Sequence, residues 1–210
     1  MTGRAHILRR LRRLRRDEDG ATMVEFAIVA PIFLLLAFGI IDFGRLAMTY
    51  VATQKATEQA VRQAVVRTPV CAGLPDLNLR GTSTTNQRFG SSCQIEPGTC
   101  ADAGEVSCTA DASAVGSDIF TSIQALLPVN ATPQNLEFTY AFDPNLGFLG
   151  GPYVPRVTVD LVDLDFDFVT PLGALIALAA GMQSDAGESF AFPSMSTSLP
   201  AEVLLDGGST

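Results

Sequence analysis

One apolar run near the amino end decides most of what this chain can fold into. Residues 27–41 (AIVAPIFLLLAFGII) carry no charge, and extended back to Ala21 the stretch is 21 residues long with Glu25 as its only ionisable group. About 20 residues of helix cross the ~30 Å hydrocarbon core of a bilayer. A transmembrane helix is therefore predicted over residues 21–42. Its flanks orient it. Residues 1–20 hold seven arginines against three acids, net +4, whereas the chain from Val51 onward holds 6 basic and 17 acidic residues, net −11. By the positive-inside rule the amino end lies in the cytoplasm and the rest outside. The arginine arm also suits nucleic-acid binding, but no aromatic residue interleaves the arginines and the acidic remainder repels nucleic acid. A cleaved secretory signal has the same order of basic and apolar regions. The run is long for one, and FGRLAMTYVA offers only weak small-x-small sites.

The helix is expected to continue beyond the membrane. Residues 43–68 contain no proline before Pro69, and Leu46, Tyr50, Val51, Val61 and Val65 recur at helical spacing among alanines. Arg62 and Arg67 suit a last turn, and Thr68-Pro69 stops it. Inside the apolar run, Pro31 removes a backbone hydrogen bond and predicts a kink.

These residues resemble a known family. The stretch DGATMVEFAIVAPIFLLLAFGIIDFGRLAMTYVATQKATEQAVRQAV, residues 19–65, is similar to the TadE-like pseudopilins of tight-adherence (Tad) pilus systems. The resemblance implies that a prepilin peptidase cuts after Gly20, so that residues 1–20 are a cleaved cytoplasmic leader and Ala21 becomes the new amino terminus. It implies that Glu25, followed by the aromatic Phe26, pairs with the free amine of a neighbouring pilin-like subunit. It places the chain in a bacterial inner membrane as a single-pass protein. The implied partners are membrane lipid, the peptidase, other pilin-like subunits and the Tad secretion machinery. Physical cost agrees with an assembly role. A charge in a membrane helix costs ~2.5–3.5 kcal/mol at mid-bilayer and less near the edge, and pairing with an amine offsets part of it. The bland alternative is an acid that reaches the headgroups of an uncleaved anchor.

Residues 69–210 read as one extracytoplasmic α+β domain. Cys71, Cys93, Cys100 and Cys108 lie in a Gly/Ser/Thr-rich stretch. An even count outside the cytoplasm suggests two disulfides, with three pairings open. Zinc needs closer spacing, such as CxxC, and the only histidine, His6, lies in the leader. Ser117–Leu127 reads as a short helix capped by Ser117, with Ile119, Ile123, Leu126 and Leu127 on one face. Asn135–Phe142 alternates as a strand with Leu136, Phe138, Tyr140 and Phe142 buried. Arg156–Val169 also alternates, but its phase flips at Leu161-Val162, which predicts a bulge or break. Asp163, Asp165 and Asp167 then fall on one face, better suited to a wet strand face than to calcium, which wants six to eight oxygens from a curved loop. PLGALIALAA (residues 171–180) is too short to span; it covers the sheet or forms a docking surface. Phe190-Ala191-Phe192 is read as a last strand, with a loosely held tail after Pro200. The expected plan is pilin-like: a long transmembrane-plus-amphipathic helix packed on a small, mostly antiparallel sheet, with a disulfide-containing irregular loop. The outer domain offers no histidine, GxSxG or phosphate loop, so neither enzymatic activity nor a cofactor is expected.

Overall fold

The computed structural model describes residues 21–168 and 189–202. Helix α1 runs unbroken from Ala21 to Ala64 with Pro31 inside it and Arg62 in its last turn. It ends short of Arg67, where one further bond, Val65 N–H to Val61 O at 3.0 Å, tightens the exit. Among the described residues it is the one helix long and apolar enough to cross a membrane. The chain divides into two compact units, the first taking α1 up to Arg45 and the second starting at Leu46.

In the first unit the apolar side chains of α1 face outward. Every large hydrophobic residue from Met23 to Ile41 is at least 43% exposed. In water such a surface would be unfavourable, at roughly 25 cal/mol per Å² of apolar area; in lipid it is the matched solvent.

The second unit inverts that logic. Its part of α1 buries a stripe of small residues, Thr53, Ala56, Thr57, Ala60, Val61 and Ala64. Of the larger residues read as the apolar stripe, Val61 and Val65 are buried, but Tyr50 and Val51 are exposed and Leu46 is half-buried. Small side chains let the helix approach the sheet closely, so alanines rather than the large residues before them mark the packed face. Thr197 Oγ1 donates to Thr57 Oγ1 at 3.3 Å, and Glu202 N–H donates to Val65 O at 3.1 Å, so α1 travels beside the last strand in the same direction.

The sheet is antiparallel with the order β1-β2-β3-β6, where β1 is Glu105–Thr109, β2 Leu136–Ala141, β3 Arg156–Leu161 and β6 Met195–Pro200. Its register sorts the two faces. Val106, Tyr140, Val157 and Leu199 form one row, and Cys108, Phe138, Val159 and Thr197 another, on the core side. On the wet side runs a row of hydroxyls, Ser107, Thr139, Thr158 and Ser198. Leu136, Phe138, Tyr140, Val157 and Val159 are fully buried, and each such side chain contributes ~1.5–3 kcal/mol.

Helix α2 (Ala114–Ile123) closes the core with Ile119, Phe120 and Ile123. It starts earlier than expected. Ser113, not Ser117, is the cap, its side chain accepting from Gly116 N–H at 3.2 Å. Ser117 instead donates to Ser113 O at 3.1 Å, inside the helix. Gly116 is needed there: a Cβ would stand 2.3 Å from Ala110 O. A 3-10 turn, Gln124–Leu126, follows, with Leu127 buried beyond it and Leu126 only partly so.

The expected break in the long strand is present. β3 ends at Leu161, Asp163 takes a left-handed conformation (φ 53°), and β4 (Asp165–Asp167) pairs with β5 (Ser189–Ala191) in a separate two-stranded sheet. The phase flip is thus a change of sheet. β5 covers part of the expected last strand but is not last; β6 follows it. The segment after Pro200 is held at its start, Ala201 N–H donating to Pro155 O at 2.8 Å. The apolar stretch 171–180 and the tail from residue 203 lie outside the described residues.

Candidate functional site

Two places carry the features that composition singled out. The first is the start of α1. Gly20 lies outside the described residues; Ala21 is the first residue of the helix. Glu25 and Phe26 sit on its opening turns, both exposed, Phe26 at 72%. The helix therefore presents one carboxylate in an otherwise apolar surface. Toward the other end of the apolar run, Asp42 is buried, with Arg45 Nη1 3.5 Å from its Oδ1. An acid closing an apolar run, with an arginine one turn on, is the sequence signal for that pair.

The second place is the irregular region between α1 and β1, with the loop that joins β2 to β3. The four cysteines pair as Cys71–Cys108 and Cys93–Cys100. The first bridge ties the exit of α1 to β1. Beside it, Val70 N–H donates to the buried Tyr140 hydroxyl at 3.0 Å. Burial raises the Tyr140 phenol above its ordinary range, and the Val70 bond opposes this more weakly. The second bridge forms the heart of a lobe built from residues 76–101 and 143–153. Cys93, Cys100 and Leu149 make its own small buried cluster, with Phe142 against it.

Backbone bonds lace the lobe together. Gly81 N–H meets Thr99 O at 3.1 Å, Ala101 N–H meets Leu79 O at 2.8 Å, and Leu149 N–H meets Ser91 O at 2.9 Å. Asn78, buried, donates through Nδ2 to Pro152 O at 3.0 Å and accepts from Gly150 N–H at 2.8 Å. Gly147 makes room for it: at φ 76° a Cβ there would stand 2.4 Å from Asn78 Nδ2. On the outside, Leu77, Leu79, Phe89 and Phe148 are 48%, 63%, 75% and 57% exposed. The Arg80 guanidinium lies 5.4 Å from the centre of the Phe89 ring.

Elsewhere, two carboxylates are held by neighbouring donors. Ser83 and Thr85 donate to the Glu96 carboxylate, and these bonds, Thr85 first, lower its proton affinity. Glu58 is lowered by Lys55, 2.8 Å away. A polar cleft of about 260 Å³ is lined by Tyr50, Gln54, Thr57 and Glu58 of α1 and by Ser194–Thr197. Asp163, Asp165 and Asp167 are all exposed, with Asp163 in the connection rather than on a strand. Among the described residues no cluster of three or more His, Cys, Asp or Glu could hold a metal.

No curated protein and no solved structure matches the chain significantly. The family comparison does find a match, which begins at Gly20, takes in Glu25, Pro31 and the Asp42–Arg45 pair, and covers about a fifth of the chain. Residues 20–62 match the family described as TadE-like protein, which bears out the resemblance carried by this segment.

Proposed function

We propose that this chain is a pilin-like minor subunit in the assembly of a bacterial Tad-type pilus. The observation that carries the reading is the TadE-like match starting at Gly20, on a helix whose outward apolar surface holds a single acid, Glu25, five residues on. In this reading a prepilin peptidase cleaves after Gly20 on the cytoplasmic side of the inner membrane. The released amine of Ala21 meets Glu25 of a neighbouring pilin-like subunit as helices pack side by side in lipid. The amine is taken from a neighbouring chain in this reading, although Ala21 of the same chain lies just over one turn before Glu25 on the helix. The second unit is displayed outside the membrane to the Tad machinery. It acts by binding and not by catalysis.

A specific observation favours a second reading: the exposed Leu77, Leu79, Phe89 and Phe148 suit an adhesion or binding module on an uncleaved anchor. Amino-terminal sequencing of protein extracted from membranes of a strain with active prepilin peptidase separates the two. The pilin reading expects Ala21 as the first residue, and Glu25→Ala to leave insertion intact while pili are lost. A terminus that retains the arginine arm decides for the plain anchor.

A further inference from the structure

We infer that the lobe built from residues 76–101 and 143–153 is a redox-conditional module, ordered only when Cys93 and Cys100 are bridged, on a sheet that folds without it. The inference is independent of cleavage at Gly20 and holds for either reading above.

The core of the sheet is complete without the lobe. Phe138, Tyr140, Val157 and Val159 are fully buried, as are Ala56, Ala60, Ile119 and Ile123, and none of these belongs to the cluster around the second bridge. The lobe has a smaller and more polar interior, in which Asn78, Thr99 and Tyr153 are also buried. Two of the three buried residues in its cluster are the bridged cysteines themselves, the third being Leu149. Its large apolar side chains Leu77, Leu79, Phe89 and Phe148 point to solvent. Its strand-like pairing is limited to isolated bridges, Leu77 with Pro152, Arg80 with Cys100 and Ser92 with Phe148, and its backbone bonds form no continuous ladder. A segment with few buried apolar contacts and lone bridges opens locally at low cost. The cross-link restricts that opening by limiting the unfolded lobe. Breaking it also replaces a buried bridge by two polar thiols.

The Cys93 and Cys100 thiols give up two protons and two electrons to the disulfide of an extracytoplasmic thiol–disulfide oxidoreductase, which leaves as the dithiol. The lobe then presents Phe89 and Phe148; reduction by a dithiol reverses this. The first bridge, Cys71–Cys108, serves the sheet instead, by joining β1 to the end of α1.

Hydrogen–deuterium exchange read by mass spectrometry on the full-length chain in detergent tests this. Two samples are compared with the oxidised protein: Cys93→Ser/Cys100→Ser, and the wild type treated with graded dithiothreitol, with the state of Cys71–Cys108 followed by intact mass. The expected result in both is faster exchange in peptides from 76–101 and 143–153, on the order of fiftyfold, with β2, β3 and α2 unchanged while Cys71–Cys108 remains bridged. Exchange that rises across β2 and β3 as well, including a variant that fails to fold, overturns the inference. So does a lobe whose protection is unaltered by loss of its bridge.

Discussion

The sheet and the disulfide lobe lie in the same unit and are held by opposite means. The sheet buries Leu136, Phe138 and Tyr140 from β2 and Val157, Val159 and Leu161 from β3 beneath α1 and α2. The lobe buries Leu149 and Tyr153 but leaves Leu77, Leu79, Phe89 and Phe148 outside, and it relies on a covalent bridge, on Asn78 and on backbone bonds. The loop-closure relation assigns roughly 2.5 kcal/mol to the seven-residue separation of Cys93–Cys100 and roughly 4 kcal/mol to the 37-residue separation of Cys71–Cys108. The larger constraint thus serves the part that already packs well, and the smaller one the part with little else. Stability and display are assigned to different stretches of chain, which leaves the lobe surface freer to vary than the sheet.

The sharpest break of this comparison is a truncation in the sheet. Phe138 is fully buried and lies in the row between Cys108 and Val159. Phe138→Ala is expected to cost about 3–5 kcal/mol, from lost transfer energy and the cavity left behind. Guanidinium unfolding followed by far-UV circular dichroism, in detergent, reads it. A loss below about 1 kcal/mol would mean that packing is not what holds the sheet.

A smaller effect comes from the joint between the regions. Tyr140 accepts the Val70 amide at 3.0 Å beneath the first bridge. Tyr140→Phe orphans that buried N–H and is expected to cost about 1–3 kcal/mol at neutral pH. Its pH dependence has a definite sign. Burial raises the folded phenol above the unfolded value, so the folded state prefers the proton. The contribution is whole below about pH 10, the unfolded value, and is lost as pH rises through the folded one. Tyr153 is raised too, by burial first and the Asp102 carboxylate second, and adds to the same alkaline loss. Wild type should therefore weaken between pH 7 and pH 10.5 by more than Tyr140→Phe does in the same denaturant series. Equal slopes would place the alkaline sensitivity elsewhere.

How much of this was legible follows from which residues carry the signal. Period 2 is loud where large side chains alternate, so β2 and β3 were readable, and the phase flip at Leu161-Val162 foretold the change of sheet at Asp163. β1 and β6 were not, because EVSCT and MSTSLP hold few large apolar residues and their role appears only opposite their partners. The same cause misplaced the stripe on α1. Alanines and threonines pack well, but they are weak signals beside Tyr50 and Val51. The cap moved from Ser117 to Ser113 because both serines precede apolar residues at helical spacing, and only the close approach of Gly116 to Ala110 chooses between them. For the candidate site, the acid at Glu25 and the four cysteines stood out by residue type. The pairing of those cysteines did not, since it depends on β1 lying beside the exit of α1. Asn78 gave no signal because its importance lies in which backbone it meets.

The finest test sets two phenylalanines against each other. Phe148 is in the lobe, ten residues after Phe138, and differs from it in burial: 57% exposed against none. Half-exposed apolar surface gains little on folding, and surface substitutions away from caps, charges and strained turns usually stay within about 0.5 kcal/mol. Phe148→Ala is therefore expected to leave the unfolding midpoint within that margin. The backbone of residue 148 remains tied, because its carbonyl accepts from Gly151 N–H at 2.9 Å and its neighbour Leu149 keeps the lobe cluster. The measurement is the same guanidinium series used for Phe138→Ala, run beside it. A cost for Phe148→Ala approaching that of Phe138→Ala would show that the lobe face is packed on folding, and the division between a packed sheet and a bridged, outward-facing lobe would fail.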